Sequence, residues 1–264
     1  MRTDFERVKL LAESWTPEEV LGWAFSTYGK DVALATGMGV EGMALLDMAR
    51  RINPKVQVFT GDTDFLFPET YDLIDRVEAR YGIKIERLYS ELTPRDQDLA
   101  YGKALWESDP DQCCNLRKVE PLRRKLSTLD AWVTAIRRDQ TSARAAIRKV
   151  DWDAKFDLVK ISPLADWTRE QVWSYVVDND VPYNPLHDRN YPSIGCTHCT
   201  RAVLPGEDQR AGRWSGSGKV ECGLHTSSAK SSPVLVQLAV ASAANDPTCS
   251  SGSDIRCHAS RNCS

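Results

Sequence analysis

The chain has 264 residues, 42% of them hydrophobic, enough for one large α/β core or two small ones. A formal net charge of −3 and a pI near 5.9 argue against a general nucleic-acid binder. Neither a charged leader with an apolar core nor an apolar run of membrane length is visible, so no membrane partner is expected and the cytoplasm is the default location. There, eight cysteines read as metal ligands or reactive thiols rather than disulfides.

Thr16-Pro17-Glu18-Glu19 supplies an N-cap, a first-turn proline and a third-position carboxylate, which predicts a helix to about Tyr28. An apolar β-rich run, Asp31 to Thr36, then leads through a glycine turn into a helical pattern, Met43 to Arg51, and a second run, Lys55 to Thr60. The alternation continues with a helix at Pro68 to Tyr81, a strand at Ile83 to Tyr89, a helix at Asn115 to Leu126 and a strand at Ala131 to Ile136. A largely parallel sheet flanked by helices follows from that order. Asp166 or Thr168 caps a further helix to about Asp178, and the density of Pro, Gly and Cys from Pro182 to Arg213 predicts loops.

Gly37-Met38-Gly39-Val40-Glu41-Gly42 matches G-x-G-x-x-G between a strand and a helix, with Asp62 at the end of the next strand. Glycines there let backbone N–H groups approach a phosphate, although a ligand-free turn would look the same, and Asp62-Thr63-Asp64 reads equally as a helix cap. Ala135 to Arg144 follows a hydrophobic strand and carries arginines able to fork onto phosphate or sulfate, or merely to face solvent.

The thiols form two pairs, Cys113-Cys114 and Cys196-Thr197-His198-Cys199, followed by a lone Cys222. Adjacent thiols suit separate corners of an iron-sulfur cube better than a single zinc ion, so four ligands and one nucleophile are expected. Arg117 and Lys118 each follow a cysteine at i, i+4 spacing, where their charges would offset thiolates. Arg210, Arg213 and Lys219 make the segment before Cys222 locally cationic, and His225 lies three residues beyond it.

Gln112 to Leu122, Arg137-Arg138-Asp139-Gln140, Ser193 to Arg201 and Glu221-Cys222-Gly223-Leu224-His225 together closely resemble the assimilatory adenylyl-sulfate reductases, over roughly residues 14 to 226. That resemblance implies an adenine nucleotide alpha-hydrolase-like fold and thioredoxin-dependent reduction of adenosine 5′-phosphosulfate to sulfite and AMP. It implies a 4Fe-4S cluster on Cys113, Cys114, Cys196 and Cys199, and a Cys222 nucleophile that passes through an S-sulfonate. Lys118 would link cluster and substrate. Gly37, Gly39 and Gly42 fall in the family's phosphate loop, Arg137 and Arg138 in its basic substrate motif, Arg210 and Arg213 in its C-terminal segment; Asp62 and His225 are further substrate-contact candidates.

The expected organisation is a domain over 1–205 with a cluster-pinned loop region, a mobile catalytic segment over 206–226 and a disordered tail over 227–264, with a homo-oligomer left open. Met38, Asp64 and the reduced aromatic run after Trp214 depart from the family pattern. Two rivals are a nicotinamide-dependent oxidoreductase built on the glycine turn and a zinc-binding interaction module built on the same four thiols.

Overall fold

Six strands, β1 (Val32–Ala35), β2 (Gln57–Asp62), β3 (Ile85–Tyr89), β4 (Ala131–Thr134), β5 (Val150–Asp153) and β6 (Leu158–Ile161), form one sheet in the order β3-β2-β1-β4-β6-β5. This computed structural model describes residues 2–219 and 221–225. Every pairing is parallel except that of β5 with β6. The expected tail, with its apolar run from 234 to 240 and Cys249, Cys257 and Cys263, lies outside the described residues.

Nine α-helices accompany the sheet among the described residues: α1 (Arg2–Leu11), α2 (Pro17–Tyr28), α3 (Val40–Ile52), α4 (Pro68–Tyr81), α5 (Pro94–Tyr101), α6 (Leu105–Ser108), α7 (Pro110–Cys114), α8 (Glu120–Leu126) and α9 (Arg169–Asp178). Local chemistry sets several boundaries. Thr16 caps α2, accepting from Glu19 N at 3.2 Å while its own N–H donates to Glu19 Oε2 at 2.8 Å, and Thr168 rather than Asp166 caps α9 in the same reciprocal way with Gln171. None of these helices is long and apolar enough to cross a membrane.

The sheet is covered on both faces. One core joins Leu34, Val58 and Val133 to Leu21, Leu45, Leu73 and Val172 of α2, α3, α4 and α9. The other joins Ala33, Phe59 and Trp132 to Leu122 and Leu126 of α8 and to Phe156 between β5 and β6. A continuous apolar β1, Val32-Ala33-Leu34, is what a strand covered on both faces requires.

Asp47 of α3 is a buried carboxylate that binds the helix layer together. It accepts from Tyr81 Oη at 2.9 Å and Tyr175 Oη at 2.6 Å, and pairs with Arg51 at 2.8 Å. Asp47→Ala leaves two half-buried phenols without their acceptor and Arg51 without its partner carboxylate, and urea unfolding is expected to show a loss of about 2 kcal/mol.

α1, α5 and α6 are additional to the helices expected from the sequence, and two further features differ from those expectations. The β5–β6 hairpin was not anticipated, because its strands are four residues each and interleave aspartates and a lysine with their apolar positions. The helix expected from Asn115 to Leu126 is instead α7, a π-helical turn over Asn115–Val119, and α8. Pro121 explains the widening: it has no N–H to donate to the carbonyl of residue 117 and its ring crowds that carbonyl.

Candidate active site

A cleft of about 290 Å³ opens at the carboxyl edge of the sheet, between β1 and β4. The order of strands reverses there, which leaves a crevice between loops that diverge to opposite faces. Its base is formed by Thr36 and Gly37 after β1, Gly61 and Thr63 around the end of β2, and Ala135 and Ile136 after β4. Thr36 Oγ1 accepts from Met38 N at 3.0 Å, folding Met38 into the left-handed region at φ 57 with its side chain buried. Gly42 starts α3 so close to Thr36 that a Cβ would overlap the threonine hydroxyl. Gly37 and Gly39 line the cleft, and a Cβ at Gly37 would meet open space.

Cations and the Cys222 thiol face this base. Lys118, Arg144, Arg210, Arg213 and Cys222 all line the cleft, with Leu224 and His225. Arg210 and Arg213 each reach Ser193 Oγ at 3.3 Å, and Arg213 lies against Gly195, where any Cβ would displace its guanidinium. Beyond Cys222, Lys155 donates to Gly223 O, Leu224 packs on the Trp132 core, and His225 stacks on Trp132 at 5.6 Å. Burial, then the charges of Lys160 and Arg144, holds the imidazole of His225 well below its usual range, so it sits there neutral.

A second, smaller cavity adjoins the first and is lined by Cys113, Cys114, Cys196 and Cys199 together with Phe65, Trp106, Pro110, Arg117, Lys118 and His198. Trp106 and His198 are stacked at 3.9 Å, and Phe65 meets both edge-on. The cysteine loop is registered on its surroundings by backbone bonds from Thr197 N to Phe65 O at 2.8 Å and from Trp214 N to Cys199 O at 3.0 Å. Among the described residues no three His, Cys, Asp or Glu side chains converge closely enough to hold one metal ion.

The donor set nevertheless suits a larger polynuclear group. Burial, reinforced by the neighbouring thiols, pushes Cys113 up to about 12, and burial with Cys196 pushes Cys199 up to about 11, so thiolates here need compensating positive charge. Part of it is built in. Burial opposes ionisation of Cys196, but Lys118, a 3.2 Å hydrogen bond with Thr63 Oγ1 and Arg213 outweigh it and lower its pKa. Burial alone would discharge Lys118, yet Cys196 and Cys114 raise its pKa. Trp214 offers its ring to Arg213 at 4.4 Å, Lys219 at 5.6 Å and Lys118 at 6.0 Å, which gathers three cations beside these thiols.

Residues 31–202 match the family described as the phosphoadenosine phosphosulfate reductase domain. The chain belongs to that family. It is 46% identical over 224 residues to the adenosine 5′-phosphosulfate reductase of Shouchella clausii, covering 84% of this chain and 93% of that one. It is 47% identical over 208 residues to adenosine 5′-phosphosulfate reductase 2 of Bacillus subtilis, covering 78% and 88%. The crystal structure of phosphoadenylyl-sulfate reductase from Candida auris in complex with phosphate superposes with a TM-score of 0.68 at 31% identity, over 76% of this chain and 98% of that one. At 15% identity and a TM-score of 0.52, FMN adenylyltransferase of Candida glabrata, over 72% of this chain and 62% of that one, shares the fold alone. The architecture is adenine nucleotide alpha-hydrolase-like.

The candidate residues, inside the matched 31–202 and beyond it, divide. Gly37, Gly39, Gly42, Lys118, Arg210, Arg213, Cys222 and His225 share the cleft, and the four paired cysteines share the adjoining cavity. Asp62 does not line the cleft; its carboxylate accepts from Tyr71 Oη at 2.8 Å and Asp64 N at 3.0 Å, so Asp62 itself is not presented to a ribose there. Arg137 is buried behind the glycine turn, held by Glu41 at 3.1 Å and by Asp139 at 2.5 Å, while Arg138 is engaged by Glu13 and the carbonyl of Ile147. Neither arginine lines the cleft: Arg137 braces the glycine turn through Glu41, and Arg138 ties the segment after β4 to Glu13 and Ile147. Arg144, the last residue of the Ala135 to Arg144 run, is the arginine of that run that does line the cleft. Glu221 stands in the Glu221–His225 stretch with no role of its own read from it, and Lys155, on the other side of Cys222, carries no sequence signal beyond its charge.

Proposed function

We propose that the chain reduces adenosine 5′-phosphosulfate to sulfite and AMP in sulfate assimilation, with Cys222 as nucleophile and thioredoxin as the dithiol donor. The observation that carries this reading is the presence of the Cys222 thiol in the cleft that also holds the glycine turn and four cationic side chains. The names of the relatives, and their identity over most of both chains, support the same substrate.

Backbone N–H groups of the Thr36–Gly42 turn and the start of α3 would bind the phosphate, with Arg144, Arg210 and Arg213 closing on the sulfate. The Cys222 thiolate attacks sulfur, the S–O bond to phosphate breaks with its electron pair leaving on AMP, and a Cys222 S-sulfonate forms. A thioredoxin thiolate then attacks Cys222 Sγ and expels sulfite, and its second thiol frees Cys222 by closing a disulfide. The dithiol supplies both electrons, and a reducing cytoplasm is the setting that keeps it available.

Cys113, Cys114, Cys196 and Cys199 would hold a 4Fe-4S cluster, which when bound supplies fixed charge beside the cleft and ties the cysteine loop to α7. Lys118 lines both cavities and would relay the electrostatics of one to the other.

Mixing iron-replete protein with adenosine 5′-phosphosulfate in the absence of any dithiol is expected to release AMP once per chain and leave a sulfonate on Cys222, read by peptide mass. Adding reduced thioredoxin should convert that adduct to sulfite. AMP release with no adduct at Cys222 would overturn the assignment.

A further inference from the structure

Glu221 adjoins Cys222 yet does not line the cleft; its side chain is 6% exposed and sits behind the cationic wall. Arg144 forks onto it, donating from Nε to Oε1 at 2.9 Å and from Nη2 to Oε2 at 2.8 Å. Arg210 Nη2 reaches Oε2 at 3.4 Å, and the Thr141 hydroxyl donates to Oε1 at 3.3 Å. Arg144 and Arg210 both line the cleft as well.

One carboxylate therefore touches two cations that face the ligand space and is covalently next to the thiol that must enter it. On the far side of Cys222, Lys155 holds Gly223 O, so the thiol is strung between two anchors. The anchors are unequal. The Lys155 bond goes to a carbonyl and fixes backbone alone, whereas the Glu221 fork is a buried, charge-assisted pair whose loss leaves two guanidinium groups without their shared counter-ion.

We infer that Glu221 is a positioning residue that fastens the nucleophile to the arginine-bearing wall, setting the thiol and the anion-facing cations with a single side chain. This rests on Cys222 acting as the nucleophile. Removing the carboxylate has two consequences that a mere surface role would not produce. The 221–225 backbone loses one of its two anchors, and Arg144 and Arg210 lose the carboxylate they share, while Arg144 keeps its contact to Gln140 and Arg210 its contact to Ser193. Glu221→Gln should accordingly lower kcat and raise KM together.

The test uses the iron-replete full chain and reads backbone hydrogen exchange at residues 221–225 beside kcat and KM for adenosine 5′-phosphosulfate. Glu221→Gln is expected to raise exchange there about tenfold or more, with Glu221→Asp between it and the wild type. If Glu221→Gln does not fold, Arg144→Lys, which keeps the charge and loses the fork, should loosen the same residues. Unchanged exchange in Glu221→Gln and Arg144→Lys, or a fall in kcat with KM and exchange unaltered, overturns the inference. Exchange is measured without substrate, so a wild-type protein that forms no adduct would sink the nucleophile assignment and leave the tether to be decided separately.

Discussion

Cys222→Ser is expected to lower AMP release by about 10⁴-fold or more, the scale on which removal of a nucleophile usually acts. It should do so without loss of iron or acid-labile sulfide. Among the described residues Cys222 is the one cysteine in the cleft, and the other four line the adjoining cavity. The paired control is Cys114→Ser, which removes a thiol from that cavity and should cost iron and activity together. Serine keeps the shape of the nucleophile but lacks an ionisable group near neutral pH, so the 221–225 segment can stay docked through Glu221, Gly223 and Leu224 while the attack fails. Turnover by the serine variant at close to the wild-type rate would remove Cys222 from the chemistry.

The sequence disclosed the elements whose signals are local. Thr16 with Glu19 and Pro17 marks the start of α2, Pro68 and Gly82 bracket α4, and the apolar run of β1 announces a strand buried on both faces. The five described thiols could be partitioned into four and one because their spacing differs, and the cleft and the cavity divide them in the same way. The fates of individual charges were not legible. Arg137, Arg138 and Arg144 are alike in a string of letters, and what separates them is that Glu41 and Asp139 reach Arg137, Glu13 reaches Arg138, and Glu221 reaches Arg144 from 77 residues away. Such pairings depend on how the chain returns on itself, which no local pattern encodes. The β5–β6 hairpin was hidden for another reason: β5 is an edge strand of four residues with Trp152 exposed, too short for its Val-Asp-Trp-Asp alternation to stand out and without the continuous apolar run of a strand buried on both faces.

Lys118→Gln should reduce kcat/KM by about 10²- to 10³-fold, the range for removing one preorganised charge from a reaction centre. Lys118 lines both cavities, and its charge is favoured by Cys196, Cys114 and Cys222 against the cost of its burial. Glutamine keeps much of the length and a donor but removes the charge, so Cys196 loses the cation that does most to hold it as a thiolate. The phosphate end of the nucleotide would be met by the glycine turn, whereas Lys118 stands with Cys222, where in the proposed reaction negative charge would move from sulfur to the leaving phosphate. The loss should therefore fall on turnover, with the Kd for AMP changed by no more than a few-fold in a calorimetric titration of the iron-replete variant. An equal loss in AMP affinity would recast Lys118 as a ground-state clamp on the nucleotide, because a group that binds substrate and transition state alike shifts KM and leaves kcat in place.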